Sequence, residues 1–303
     1  MGGFDCRTIR RSRGRTADRS PSRYSRRFPL IGLLLAASVV PTGVQAQEPP
    51  RRAPPVLVVP EATLTPQADR QTIADRADRL FLSDPAQALI LLDQALQEGP
   101  KDPYPLEWRA ARSALVLGVL EEVDEVVELD WLLTAEAYAD SALVRDAKGL
   151  DGLYWSAAVK GRLALQYGAR TTARLAQEVW DLTHAILVVD PEHAGAHNIL
   201  GKLNQEVMSL SGWQRMLGKL VLRYDPLKEA SWDRALDHHR RAVAGDPTTV
   251  LFHMDLGRTL ELTDDDQAAR VHYEKALALP DGYPVDPRFK GLIRGYLAEL
   301  PGG

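Results

Sequence analysis

The sequence predicts an all-α fold: a solenoid of about five helix pairs, closed by a C-terminal capping helix. Two observations lead to this prediction. From about residue 68 onward, apolar residues recur at helical spacing and Pro or Gly stands at each break. Over the same region a pattern of small residues recurs at fixed spacing, which is the sign of an internally repeated helical array.

The repeated pattern is a set of four positions separated by 4, 3 and 5 residues. The 4-then-3 spacing keeps small side chains on one helix face, where a second helix can approach closely. Pro at the fourth position ends the second helix of a pair. This pattern is typical of a tetratricopeptide-repeat α-solenoid. Its copies are Ala88–Leu92–Ala95–Pro100, Ala135–Ala139–Ala142–Ala147, Ala235–His239–Ala242–Pro247 and the partial copy Ala269–Tyr273–Ala276.

The repeat domain is predicted to span 68–300 in five units and a cap. Two units are irregular. In the fifth unit, Gly257 and Ala269 are 12 residues apart. The corresponding spacing in the fourth unit, from Gly201 to Ala235, is about 22 residues longer. In the third unit, Asp190-Pro191 is one residue out of phase with Ala185. The predicted units cover about 68–100, 103–147, 150–191, 194–247 and 250–281, and the capping helix covers 285–299.

The amino terminus is interpreted as an export signal. Residues 1–46 hold nine Arg and two Asp, a net charge of +7. An apolar run from 28 to 40 follows the last Arg pair, and it is too short to span a membrane. We expect cleavage after Ala46, a Pro-rich linker over 47–67 and a periplasmic repeat domain. The alternative is an uncleaved segment that anchors the domain to a membrane.

Charge and cysteine content exclude several classes of function. The formal net charge of the whole chain is −4, which leaves a net charge of −11 for residues 47–303. Such an acidic region argues against nucleic acid as the principal partner, because phosphate binding needs clustered Lys and Arg. The single cysteine, Cys6, lies in the predicted signal, so the exported domain has no disulfide, thiolate nucleophile or Cys-based metal site.

A search for catalytic or metal-binding motifs favours a protein without enzymatic activity, metal or cofactor. No phosphate loop, GxSxG motif or dinucleotide Gly pattern is present. His193 and His197 have a spacing compatible with zinc, but no third ligand follows, so we interpret them as packing residues. The run 264–266 of three Asp lacks the alternation of a calcium loop and is expected to cap a helix.

A partner-binding groove is predicted on the first helices of the pairs, which line the concave side of such solenoids. Three of the inward positions carry cations, Arg162, Lys202 and Arg258, and would suit an anionic peptide carboxylate or lipid phosphate. The alternative is that they are three solvated charges. The predicted partner-binding residues on these helices are Tyr154, Arg162, Asn198, Lys202, Gln205, Met254 and Arg258.

The inserted segment 208–224 is a second candidate for binding. It places Trp213 in an apolar stripe beside a stripe of basic residues four apart, a pattern that can lie at a lipid surface. The same amphipathic pattern also suits a lid over the groove, or packing against neighbouring repeats. The sequence therefore leaves two functions open, a scaffold for a protein or peptide and a carrier of lipid or another amphiphile.

Several runs resemble the regulator of microtubule dynamics family over about 70–300. They are AHNILG at 196–201, SLSGW at 209–213, LGKL at 217–220, Trp155 with the following Ala pair and Gly161-Arg162, and ALALP at 276–280. The resemblance implies a tetratricopeptide fold, no enzymatic active site and a role in binding partners. Eukaryotic members associate with microtubules, and one tethers organelles through a repeat domain that binds phospholipid. Microtubule binding is not carried over, because the amino terminus resembles a bacterial export signal.

Overall fold

The computed structural model describes residues 70–120, 125–211 and 225–301, and these ranges hold α-helices and no β-strand. The predicted export signal, the linker and Trp213 lie outside the described residues. The helices are α1 (Arg70–Ser83), α2 (Pro85–Gln97), α3 (Tyr104–Leu120), α4 (Glu125–Arg145), α5 (Leu150–Leu163), α6 (Ala169–Val189), α7 (Ala194–Ser209), α8 (Asp225–Glu229), α9 (Trp232–Gly245), α10 (Val250–Leu262), α11 (Asp266–Ala278) and α12 (Asp286–Glu299). None of the helices in the described ranges combines the length and apolar content that crossing a bilayer requires.

The helices pack as five successive pairs. The pairs are α1–α2, α3–α4, α5–α6, α7–α9 and α10–α11, and α12 packs on both helices of the last pair. The short α8 belongs to the segment that separates α7 from α9. Each pair packs mainly on its neighbours in the stack, as in a solenoid. The predicted fold class, an all-α tetratricopeptide-repeat solenoid with a capping helix, is confirmed.

The small residues of the repeat lie between paired helices. Ala88, Ala135, Ala235 and Ala269 all have 0% of their surface exposed. Their side chains are short enough for the facing backbone to come close, which is the reason for their recurrence. The physical interpretation of the repeat, small residues at helix crossings, is therefore confirmed.

The third pair follows the same spacing with larger residues. Val179, Thr183 and Ile186 are buried in α6 and are separated from one another and from Pro191 by 4, 3 and 5 residues. Ala185, which the sequence interpretation aligned with the repeat, is exposed. That alignment is wrong. The apparent phase shift arose because Val, Thr and Ile stand where the other units have mostly Ala.

Acidic and hydroxyl side chains start several of the helices. Asp84 accepts a hydrogen bond from the amide of Gln87 at 3.0 Å, and Ser231 accepts one from the amide of Arg234 at 3.1 Å. Asp265 caps α11 through the amide of Ala268 at 3.2 Å. Each cap satisfies an amide that has no partner within its own helix. The expectation that the Asp run 264–266 caps a helix is confirmed.

We predict that Gly257→Ala lowers the free energy of unfolding by about 1–3 kcal/mol. A Cβ at Gly257 would lie 2.6 Å from the Tyr273 ring and 3.3 Å from the carbonyl oxygen of Ala269. The matched control is Gly291→Ala in α12, where an added Cβ meets no atom of the described residues within 4 Å. The control should keep or raise stability, because Ala favours helix more than Gly does. Urea unfolding followed by circular dichroism measures both, and equal midpoints would contradict the close packing.

Helix-to-helix contacts define the inside of the curve. The first helices of the pairs (α1, α3, α5, α7 and α10) each contact the first helix of the next pair. In the described part of the chain, consecutive second helices make no contact of comparable extent. The first helices are therefore closer together, and the stack curves with these helices on its inner side. We call their inward surface the concave face.

Candidate functional site

Five of the predicted partner-binding residues occupy equivalent positions on the first helices of their pairs. Tyr154, Asn198 and Met254 each lie four residues after the start of their helix, and Lys202 and Arg258 each lie eight residues after it. The structure thus brings together residues of α5, α7 and α10 as the sequence predicted. Their accessibility to a partner differs greatly, however, and divides them into a buried group and a partly exposed group.

Asn198 and Gln205 tie α7 to α10 and are almost fully buried. Asn198 Nδ2 donates a hydrogen bond to Asp255 at 2.9 Å, and the hydroxyl of Thr259 donates one to Gln205 Oε1 at 2.9 Å. Only 5% of Asn198 and 4% of Gln205 is exposed. These amides therefore hold two neighbouring first helices together, beneath the surface that a partner could touch.

The Asn198 interaction extends into a buried chain of polar groups. The ring of His239 lies with Nδ1 3.2 Å from Asn198 Oδ1, and because an amide oxygen only accepts, Nδ1 carries the proton. Burial raises the pKa of Asp255, although Lys202 and Asn198 counteract part of this effect. The chain from His239 through Asn198 to Asp255 satisfies polar groups that would otherwise be costly to bury.

Tyr154 and Met254 pack between helices. The Tyr154 ring lies against Gly195 at the start of α7, where an added Cβ would be 2.4 Å from it, and its centroid is 5.5 Å from that of His193. Burial raises the pKa of the Tyr154 hydroxyl. Met254 is buried in the apolar cluster of the last pair. Both residues form the support of the concave face and give its first helices their spacing.

The three cations are each beside a carboxylate. Arg162 Nη2 lies 2.5 Å from Glu128. Lys202 Nζ lies 3.1 Å from Glu206 and 4.0 Å from the buried Asp255. Because these acids neutralise the two cations locally, the inner surface at α5 and α7 carries ion pairs in place of the line of free positive charge that the sequence suggested.

Arg258 is the most enclosed of the three cations, with 14% of its side chain exposed. Its Nη1 lies 2.8 Å from Glu261, and its guanidinium lies 5.0 Å from the ring centre of Tyr296 in α12. Burial disfavours its charged form, but Glu261 outweighs burial and the pKa of Arg258 is raised. Arg162 and Lys202, with 32% and 43% of their side chains exposed, are the more accessible members of the predicted set.

Sequence reasoning missed the contribution of the second pair to the concave face. Trp108 and Arg112 lie four and eight residues after the start of α3, the same positions as Tyr154 and Lys202 in their helices. Arg112 stacks over the ring of Phe81 at 3.9 Å and pairs with Asp78 at 2.6 Å. Counting from the predicted start of this unit at 103 would have given Glu107 and Ala111, so the observed helix start at Tyr104 was needed to place both residues on this face.

The histidines have structural roles in the described helices. His193 caps α7, because its Nδ1 accepts a hydrogen bond from the amide of Ala196 at 3.1 Å. His197 and His238 place their Nδ1 atoms 3.0 Å apart, and His253 and His272 repeat this arrangement in the next pair at 3.0 Å. Among the described residues, no group of three or more His, Cys, Asp or Glu is arranged to hold a metal ion.

Comparison with known proteins decides the family. Residues 73–300 match the family model described as regulator of microtubule dynamics protein 1-3. The chain belongs to this family. A sequence comparison with curated proteins found no significant match. The family assignment agrees with the resemblance seen in the sequence, whose runs at 196–201 and 276–280 lie in α7 and at the end of α11.

Solved structures give the fold a second line of support. The chain is similar to TTC0263, a thermophilic TPR protein of Thermus thermophilus, with 19% identity and a TM-score of 0.52 over 76% of this chain and 100% of that one. It is also similar to MamA from Desulfovibrio magneticus, with 19% identity and a TM-score of 0.39 over 69% and 92% of the two chains. The first of these likenesses shows the fold.

Proposed function

We propose that this member of the regulator of microtubule dynamics family is an exported, non-catalytic scaffold that binds a protein or peptide partner on its concave face. The observation that carries the proposal is the continuity of that face, since the first helices of all five pairs contact one another in order. Such a surface is extended and presents side chains from several units to one ligand.

The accessible part of the concave face favours a peptide of mixed charge. Arg162 and Lys202 are partly exposed, and each already has an acidic neighbour within 3.1 Å. A simple anion would have to compete with those acids, whereas a peptide with both acidic and basic groups can pair with both members of an exposed ion pair. We therefore propose that an anionic group of the partner binds near Lys202 as one part of a larger contact.

We expect Lys202→Ala to weaken partner capture at least fivefold, because the side chain is 43% exposed on the concave face. The matched control is Arg241→Ala on α9, a second helix. Arg241 also forms an ion pair with an acid one turn away, at 3.0 Å from Asp237, and its side chain is 50% exposed. Pull-down from the source organism's envelope, with tagged full-length chains, measures both variants. Equal loss in both, or no loss in the Lys202 variant, would remove this part of the face from the proposal.

Export and a periplasmic location are part of the proposal and rest on the Arg-rich and apolar stretches of 1–46. Cell fractionation of a C-terminally tagged chain tests them. A mature mass that begins near Gln47 in the periplasmic fraction is expected. A full-length mass in the membrane fraction would support the anchored alternative, and a full-length mass in the cytoplasm would refute export.

The alternative function, binding of lipid or another amphiphile, rests on the segment 208–224 and its Trp213. Because 212–224 lie outside the described residues, this function stays a prediction from the amphipathic pattern. Native mass spectrometry of gently purified protein tests it directly. A bound lipid would favour the carrier, and a mass without ligand would favour the scaffold.

A further inference from the structure

The segment 283–289 lies on the concave face of the first two pairs, although it follows the fifth pair in the chain. Val285 is buried together with Phe81, Ala88 and Val116, and only 7% of it is exposed. The ring of Tyr283 meets that of Phe81 edge-on, with the ring centres 6.2 Å apart. Arg288 also reaches Val119, from which it is 169 residues apart in the chain. Contacts over such a distance do not arise from the packing of neighbouring repeats.

Polar contacts fix the position and the shape of this segment. Arg288 Nη1 donates a hydrogen bond of 2.6 Å to the carbonyl of Val119, in the last turn of α3, where a helix dipole favours a cation. At the start of the segment, Asp286 accepts hydrogen bonds from the amide of the preceding Gly282 and from that of Tyr283, at 2.8 and 2.9 Å. The resulting turn presents Tyr283 and Val285 to the first two pairs.

The surface that receives the segment is equivalent to the predicted ligand surface of the other units. Arg112 has the same helix position as Lys202 and Arg258, and Val116 has the same position as Arg162. Arg112 stacks on Phe81. Burial raises the pKa of the Tyr283 hydroxyl, and the charge of Arg112 counteracts part of this effect. The segment therefore lies where a bound peptide would lie on a concave face, and it contacts apolar and aromatic groups, one of which, Phe81, also stacks with the cation of Arg112.

We propose that the concave face of the first two pairs is a peptide-binding site, and that residues 283–289 occupy it as an internal ligand. The partner is then a protein segment of the same chemistry: an aromatic residue, Pro, a β-branched apolar residue, an acid that closes the turn, and Arg two residues after the acid. The inference rests on the proposed scaffold function and names its partner. The partner gains access by displacing the internal segment, so the docked segment restrains binding until a competing peptide arrives.

The test uses the full chain and a fluorescently labelled peptide with the sequence of residues 281–290. The double variant Tyr283→Ser with Val285→Asp weakens docking of the internal segment. By fluorescence anisotropy, this variant is expected to bind the peptide at least tenfold more tightly than the unaltered chain does. The control peptide carries Tyr283→Ala and Val285→Ala and should lose at least tenfold in affinity for the same variant, because it lacks the two anchoring side chains.

A structural role alone would give a different result. If the segment only closes the solenoid, the double variant is less stable but binds neither peptide, and the proposal is overturned. If circular dichroism shows that the double variant has unfolded, Arg288→Ala replaces it, since that change leaves Tyr283 and Val285 in place, and an affinity equal to that of the unaltered chain then overturns the proposal. Pull-down that responds to Lys202→Ala would uphold the scaffold function even when this peptide fails to bind.

Discussion

Replacing Tyr273 with Ala is expected to lower the free energy of unfolding by about 3–5 kcal/mol. Tyr273 is among the largest fully buried side chains of the described residues, and its ring fills the space above Gly257. Its hydroxyl donates a hydrogen bond of 2.7 Å to the buried Glu261. The substitution leaves a cavity between α10 and α11 and removes the donor from a carboxylate that cannot reach water. Urea unfolding monitored by circular dichroism measures the loss.

Tyr273→Phe separates the packing contribution from the hydrogen bond. The ring stays in place and only the donor to Glu261 is lost, so we expect a smaller loss of about 1–3 kcal/mol. Arg258 still lies 2.8 Å from Glu261 and keeps that carboxylate paired. Equal losses for the two variants would mean that ring packing contributes little, and would contradict the role assigned to this repeat position.

The fold could be predicted because a few residues determine how two helices approach. Ala88, Ala135 and Ala269 recur at helix crossings, and a larger residue there would force the helices apart, so their spacing records the architecture directly. The same reasoning misaligned the third pair with the repeat, because the larger residues Val179 and Ile186 occupy the positions that small residues have in other units. The spacing of 4, 3 and 5 residues that ends at Pro191 is present in the sequence. It was overlooked because the repeat positions were recognised by their small residues.

The site was predicted less completely, because charge neutralisation depends on contacts between distant residues. Sequence position placed Arg162 and Lys202 on the inner helices, as found. Whether their charges are free depends on acids from other turns and helices: Glu128 is 34 residues from Arg162. Likewise Asn198 reaches Asp255 across 57 residues, and no periodic pattern links the two. Burial of these groups follows from the stacking of units, which a single helix pattern does not contain.

The docked C-terminal segment could not be predicted for a related reason. Residues 283–289 follow the last repeat and carry no repeat signal, so the sequence indicated only a capping helix at 285–299. Their contact with Phe81 and Val116 depends on the curvature of the whole stack. Curvature accumulates from small rotations between units and is set by side chains such as Tyr154, whose ring fits against Gly195.

Two adjacent histidines have features that predict a loss of stability in acid. Burial, followed by the nearby His197, lowers the pKa of His238 to about 4. Burial and the charge of Lys202 lower the pKa of His239 to about 3. The Nε2 atom of His239 is buried and has no hydrogen-bond partner among the described residues, so a proton added there would create a buried cation. Both rings are therefore neutral in the folded chain over a pH range in which the unfolded chain takes up protons.

Some buried carboxyl groups have the opposite effect on stability and favour the folded chain at low pH. Burial raises the pKa of Asp255 and of Asp286, so the folded chain binds their protons more readily than the unfolded chain does. Their contribution to stability is present at low pH and is lost as pH rises through the folded pKa. The pKa values of His253 and His272 are lowered by burial, and these two residues add to the acid sensitivity of His238 and His239.

We therefore expect the chain to lose stability as pH falls from about 6.5 to about 4.5. A group whose folded pKa is depressed below about 6.5 is destabilising once the unfolded form becomes protonated, and each such group costs about 1.4 kcal/mol per pH unit. For His238 and His239 together this amounts to about 4 kcal/mol before the opposing carboxyl groups are counted.

Urea midpoints measured between about pH 7 and about pH 4.5 test the expectation. His238→Gln should reduce the loss by about half of that amount, because one of the two groups no longer titrates. A stability that is constant or increases over this range would refute the assignment, since His238 and His239 would then be free to accept protons in the folded chain.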